Sequence, residues 1–184
     1  GYGHGAVPVA RALEAAGATM LACADIEEGV ELRQGGVHIP ILVFGALSVS
    51  DLDGVFSHQL TPTISSPFAA RALRAEASRR GTRIRCHLKI DTGMNRLGFR
   101  YDNLVATVPM ALAGAGLDID AVYTHFATAD DLAHPLFDTQ RERFDAALGT
   151  LSELGIRPRR RHAGNSAALL RDHATWFDAV RPGL

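Results

Sequence analysis

Seven short strand-like segments, most of them uninterrupted apolar runs, alternate with segments of helical periodicity along this chain, and that alternation constrains its fold more than any other feature. The strand-like segments cover residues 19–24, 40–44, 60–64, 83–90, 117–123, 159–162 and 176–180. A strand with one wet face alternates apolar and polar side chains, so continuous runs imply strands covered on both faces. Strand and helix in strict alternation imply a parallel sheet flanked by helices. The expected fold class is therefore α/β, a parallel (β/α)8 TIM-type barrel that is incomplete, with about seven of its eight strands present. An open doubly wound sheet is the alternative architecture. The chain opens in a strand-to-helix loop, so one further strand is expected before Gly1.

The intervening segments carry helix signals. Residues 6–16 have helical spacing and stop at Gly17, Asp25 is placed to cap a helix through Gln34, and Ser66-Pro67 opens one that runs to Arg80. A brief helix is expected over residues 50–56, a longer one over 101–113 and a short one over 167–170. The longest pattern, residues 135–154, presents Phe137, Phe144, Leu148 and Leu151 as an inner face.

With 184 residues and 47% hydrophobic content, the chain holds enough apolar material for one core, and residues 1–184 read as a single domain. Its formal charge of −1 gives no electrostatic case for nucleic acid or an anionic membrane as partner. The one basic cluster, residues 157–162, reads as a solvated face or strand start. Cys23 and Cys86 lie far apart in apolar runs, as expected of reduced, buried thiols in a cytoplasmic protein. No apolar stretch is long enough to span a membrane, and no metal-ligand spacing occurs.

In a barrel the site is built just beyond the C-terminal ends of the strands. Those positions hold the loop of residues 2–5, Gly45, Lys89 with Asp91 and Arg96, His125, Asn165 with Ser166, and Arg181. Lys89 and Asp91 share one strand face because side chains repeat with period two. By themselves they are equally readable as a site or as an exposed salt bridge. Gly164-Asn165-Ser166 opens a helix and Gly183 follows the last strand, an arrangement suited to a phosphate, although Ser166 alone is readable as a plain helix cap. His125 alone is readable as a core or turn histidine. His38, His58, His87, His134 and His173 are isolated and receive no role.

Five segments together, 2–5 (YGHG), 89–98 (KIDTGMNRLG), 124–130 (THFATAD), 162–168 (HAGNSAA) and 180–183 (VRPG), resemble the alanine racemase family in order and spacing. The resemblance covers essentially the whole chain. It implies a pyridoxal 5'-phosphate enzyme with an N-terminal barrel and a C-terminal β domain, commonly a homodimer, that interconverts L- and D-alanine and supplies D-alanine for peptidoglycan. By the same resemblance Tyr2, Asn165, Ser166, Gly183 and Leu184 hold the cofactor, with Tyr2 and Ser166 at its phosphate, and Arg181 faces the pyridine nitrogen. Arg96 lies near the cofactor's phenolic oxygen and the substrate carboxylate. Lys89, carbamylated in some family members, positions Arg96, and His125 holds Arg181 or the second catalytic base by a hydrogen bond.

The family's Schiff-base lysine falls three residues before Gly1, and its second-base tyrosine belongs to the C-terminal domain of the partner subunit. The chain is therefore expected to be an internal fragment, inactive alone and lacking the first strand and the C-terminal domain. A serine or broad-specificity racemase, a non-catalytic pyridoxal phosphate carrier, and a barrel binding some other phosphorylated ligand are the alternatives. A carrier would not need the Arg96 and His125 motifs.

Overall fold

The computed structural model describes residues 1, 3–47 and 52–183. Its elements in chain order are α1 (Ala6–Ala15), β1 (Leu21–Cys23), α2 (Ile26–Gln34), β2 (Ile41–Val43), α3 (Asp53–Ser57), β3 (Thr61–Ile64), α4 (Pro67–Arg79), β4 (Ile84–Asp91), β5 (Phe99–Arg100), α5 (Leu104–Leu112), β6 (Leu117–Tyr123), α6 (Leu136–Glu153), β7 (Arg160–Asn165), α7 (Ser166–Arg171) and β8 (Ala179–Arg181). All strand pairings are parallel, in the order β1-β2-β3-β4-β6-β7-β8, and the two-residue β5 adds to β4 outside that path. Spatial order follows chain order without a reversal. A doubly wound sheet reverses at a switch point, so the barrel expectation holds and the alternative does not. The result is a seven-stranded open barrel sheet with helices on its outside.

Local chemistry explains the helix starts. Asp25 accepts the Glu28 amide at 2.8 Å while Glu28 Oε2 accepts the Ala24 amide at 2.7 Å, two otherwise orphaned donors satisfied together. Ser66 caps α4 through the Ala69 amide, with Pro67 in the first turn. On α6 the buried face is Phe137, Gln140, Phe144, Ala147 and Leu151, with Leu148 half-buried at its margin. Cys23 and Cys86 are free and buried. No helix among the described residues is long and apolar enough to cross a membrane, and none of their His, Cys, Asp and Glu side chains gather in threes to hold a metal.

The last strand begins at Ala179 rather than Trp176. Asp172 caps a 3-10 turn over His173–Thr175, and Trp176 Nε1 donates to Leu169 O at 3.0 Å, which holds that side chain against α7 and off the sheet. Strand β7 runs past His162 to Asn165 because it pairs with β8 across a register shift. The helix expected over 101–113 splits into a 3-10 turn, Tyr101–Asn103, and α5. Of the helix expected over 50–56, residues 50 and 51 lie outside the described residues.

Register places the strand exits together. Lys89 is level with Tyr123, Tyr123 with His162, and Asn165 with Arg181. The exit of β4 depends on Gly98, which sits at φ 126°, where a Cβ would come within 2.8 Å of the Asp91 amide nitrogen and 3.0 Å of the Lys89 carbonyl oxygen. Gly98→Ala is expected to destabilise the protein by about 1–3 kcal/mol through backbone strain, read as a lowered urea unfolding midpoint. An unchanged midpoint would show that β5 can shift away without cost.

Candidate active site

Arg181, at the end of β8, is the best-held polar group on the rim. Its Nη1 meets Nδ1 of His162 at 2.7 Å, and its Nη2 donates to the carbonyls of Thr124 at 2.8 Å and Ala163 at 2.9 Å. The guanidinium also lies 5.3 Å from the centre of the Tyr123 ring and 5.8 Å from that of Phe44. Burial lowers its pKa to about 10, so it stays charged at neutral pH.

Because arginine has donors only, His162 Nδ1 must accept, and the proton of His162 must sit on Nε2. That nitrogen is 3.0 Å from His87 Nδ1, which must accept in turn. His87 therefore carries its own proton on Nε2, 3.9 Å from Asp120 Oδ2 and without a hydrogen-bond partner among the described residues. Arg181 thus dictates the tautomers of two buried histidines in series. Burial pushes the His87 pKa down to about 4, with Asp120 opposing and Arg160 and Arg181 adding to the fall. Burial and then Arg181 push His162 well below its ordinary value, so both rings are neutral. His162 also stacks on Tyr123, with ring centres 4.6 Å apart and planes 10° from parallel. At the far end, burial of Asp120 raises its pKa, but hydrogen bonds from Arg160 and Arg159 outweigh this and hold it below the usual carboxylate range.

Sequence reasoning gave neither histidine a role. His87 stands two residues before Lys89 on the same strand, so period two sends both side chains to one face. That signal was present. The family resemblance pointed instead to His125 beside Arg181. Among the described residues the imidazole that hydrogen-bonds Arg181 is His162, while His125 is half-buried on the loop after β6. Burial lowers its pKa to about 4, and the charges of Arg181, Lys89 and Arg96 push the same way.

Lys89 is 4% exposed, with Nζ 5.5 Å from the centre of the Tyr123 ring. Its pKa falls to about 8, chiefly through burial, then through Arg96 and Arg181, with Asp91 opposing. Asp91 does not pair with it. Instead Asp91 Oδ1 accepts the amides of Gly93 and Asn95, each at 3.0 Å, closing the turn that leads to exposed Arg96. The salt-bridge reading of Lys89 and Asp91 is thereby replaced by a turn-forming aspartate beside an amine that is unpaired among the described residues and easily deprotonated.

At the other side of the rim, Asn165 is the residue that caps α7, its Oδ1 accepting the Ala168 amide at 3.0 Å. Ser166 is thus released from capping, and its Oγ accepts the Gly183 amide at 2.9 Å. Tyr2 and Leu184 lie outside the described residues. The structure brings Lys89, Asn165, Ser166, Arg181 and Gly183 to one rim, with His125 and Arg96 on the loops that leave it. Positive charge and donors predominate there, the chemistry of an anion-binding site.

The description "Alanine racemase, N-terminal domain" belongs to a family model that matches residues 1–184. The alanine racemase of Desulforamulus reducens is 43% identical over the whole of this chain, which spans 50% of that protein. The alanine racemase of Clostridium difficile 630 superposes at a TM-score of 0.92 with 33% identity, covering 100% of this chain and 48% of its own. The fold is shared at 22% identity and a TM-score of 0.84 with the Bartonella henselae alanine racemase, solved with covalently bound pyridoxal phosphate; 99% of this chain and 52% of that one are covered. The chain spans about half the length of the relatives it matches. A rim of these residues on an incomplete parallel barrel, matched from end to end, shows that the chain belongs to the alanine racemase N-terminal domain family.

Proposed function

We propose that the protein containing this chain interconverts L- and D-alanine with pyridoxal 5'-phosphate. The observation that carries the reading is Arg181: a half-buried cation fixed by three acceptors, backed by two neutral histidines, and free of any carboxylate among the described residues. The residues fit the cofactor. Ser166 and the Gly183 amide already converge at 2.9 Å, and a phosphate can take both donors; Asn165 holds the helix end behind them, and the family resemblance adds Tyr2 and Leu184 to the residues that hold the cofactor.

When bound, pyridoxal phosphate supplies an electron sink for the substrate's α-carbon once the α-proton has left. Arg181 sets how deep that sink is. With a pKa of about 10, its guanidinium would donate a hydrogen bond to a pyridine nitrogen beside it while keeping its own proton, which would leave that nitrogen unprotonated and less electron-withdrawing. His125, neutral down to about pH 4, orients without adding charge. Arg96 meets the substrate carboxylate.

Lys89 serves as the positioning partner of Arg96. Its neutral amine adds CO2 to form a carbamate and release a proton, and the new carboxylate lies where Arg96 and Arg181 already favour negative charge. ¹³C-bicarbonate is expected to give a carbamate carbon resonance in the full-length protein, lost in Lys89→Arg. A folded wild-type protein without that resonance would remove carbamylation from the account. The full-length protein acts as a homodimer in the cytoplasm, supplying D-alanine for peptidoglycan. The coding sequence upstream of Gly1 offers a direct check: a lysine three residues before it supports the reading, and any other residue there opposes it. The solution test is exchange of the alanine α-hydrogen with solvent deuterium by the full-length, cofactor-loaded protein, which is expected to occur.

A further inference from the structure

Gln140 is fully buried on α6, among phenylalanines, in a position that periodicity assigns to an apolar residue. A buried primary amide is costly unless its hydrogen bonds are made. Here three are. Oε1 accepts the Ala127 amide at 2.8 Å, and Nε2 donates to His125 O at 3.0 Å and to Thr92 Oγ1 at 3.1 Å. Thr92 Oγ1 in turn lies 2.7 Å from Thr124 Oγ1, and both threonines are buried.

One side chain thereby ties together the turn after β4 and the loop after β6. The first carries Arg96 and begins three residues beyond Lys89; the second carries His125, and its Thr124 carbonyl accepts from Arg181. The same helix grips the first turn again, with Arg143 Nη1 donating to Thr92 O at 3.0 Å. A Cβ at Gly93 would come within 3.0 Å of that nitrogen, so helix and turn are already in close contact. Fully satisfied buried polar networks of this kind rigidify what they join.

We propose that Gln140 is a positioning residue for the racemisation site, fixing the loop that carries His125 against the turn that carries Arg96. The role needs an acceptor and two donors on one planar group, which neither glutamate nor an apolar side chain supplies. The inference rests on the proposed racemase reading for its effect on turnover, whereas its effect on His125 can be measured independently.

The test uses the full-length, cofactor-loaded protein with Gln140→Met, which matches length without polar atoms, and Gln140→Glu, which keeps the shape and an acceptor. Turnover is expected to fall about ten- to a hundredfold with KM changed far less, as for a misplaced reacting group. A stability role alone would lower the amount of folded protein and leave kcat per folded molecule intact. The second readout is the His125 ring titration by NMR. Three cations, Lys89 from β4, Arg96 from the turn after it and Arg181 from β8, hold this ring neutral together with its burial. Loosening the loop is expected to raise the apparent pKa of His125 by at least about one unit towards 6.5. If His125 titrates as in wild type in whichever variant folds, the proposal is overturned. If wild type shows no α-hydrogen exchange yet the His125 pKa rises in the variants, the racemase reading fails and the positioning role of Gln140 stands.

Discussion

Replacing Arg181 with glutamate in the full-length protein is expected to cut exchange of the alanine α-hydrogen with solvent by at least about a hundredfold. The guanidinium faces three acceptors, namely His162 Nδ1 and the carbonyl oxygens of Thr124 and Ala163. A carboxylate there would set oxygen against oxygen and leave all three without a donor, in a place where unpaired polar groups are costly. It would also offer an acceptor to His162, inverting the tautomer that Arg181 imposes, and the inversion would pass to His87 through the 3.0 Å contact. Arg181→Lys is the gentler companion: it keeps the charge but loses the planar fork that serves several acceptors together. Its exchange rate is expected to fall about tenfold, with the fold retained. Full exchange in folded Arg181→Glu would remove Arg181 from the chemistry.

Acid should unfold this protein through its interior. His87 and His162 are 2% and 4% exposed, and burial depresses both, His87 to about 4 and His162 well below its ordinary value. In the unfolded chain each takes up a proton near pH 6.5; in the folded protein neither does until the pH is much lower. The stability these rings contribute is therefore complete above about pH 6.5 and is lost as pH falls towards 4. Each ring contributes a slope near 1.4 kcal/mol per pH unit, and with His125, which burial likewise lowers to about 4, the three give about 4 kcal/mol per unit over that window. Asp120 adds a later loss: its folded pKa is depressed, so its contribution disappears only as pH drops through the acidic carboxylate range. Urea unfolding midpoints measured between pH 7 and pH 5 should show the histidine slope, and His87→Gln should lower it by about a third. A flat profile over that interval would mean that these rings are charged in the folded protein.

The sheet was legible because strand-like segments, most of them apolar runs, alternate with helical ones along the chain, and the rim followed because parallel strands put all their exits at one edge. Boundaries failed where side chains compete with the backbone, as at Trp176, which an indole hydrogen bond draws to α7. Lys89, Arg181, Ser166 and Asn165 stand out in the sequence because they lie at strand exits in recognisable motifs, and the structure brings them to one rim. Their division of labour was not legible: only coordinates show that Asn165 caps α7 and so frees Ser166, or that Asp91 closes a turn instead of pairing with Lys89. His87 and Gln140 escaped notice for a common reason. Each is a polar residue in an apolar pattern whose partners lie at least 15 residues away in some of its contacts, across elements that local periodicity cannot join.

The central claim is that this rim, completed by the rest of its protein, racemises alanine. Enantiomers have equal free energies, so a racemase must bring either one to the same mixture. Incubating the purified, cofactor-loaded full-length protein separately with L-alanine and D-alanine, and following both by chiral chromatography, tests this without further assumptions. The expected result is convergence from both sides on equal amounts. Persistence of the starting enantiomer in a folded protein that holds its cofactor would contradict the account.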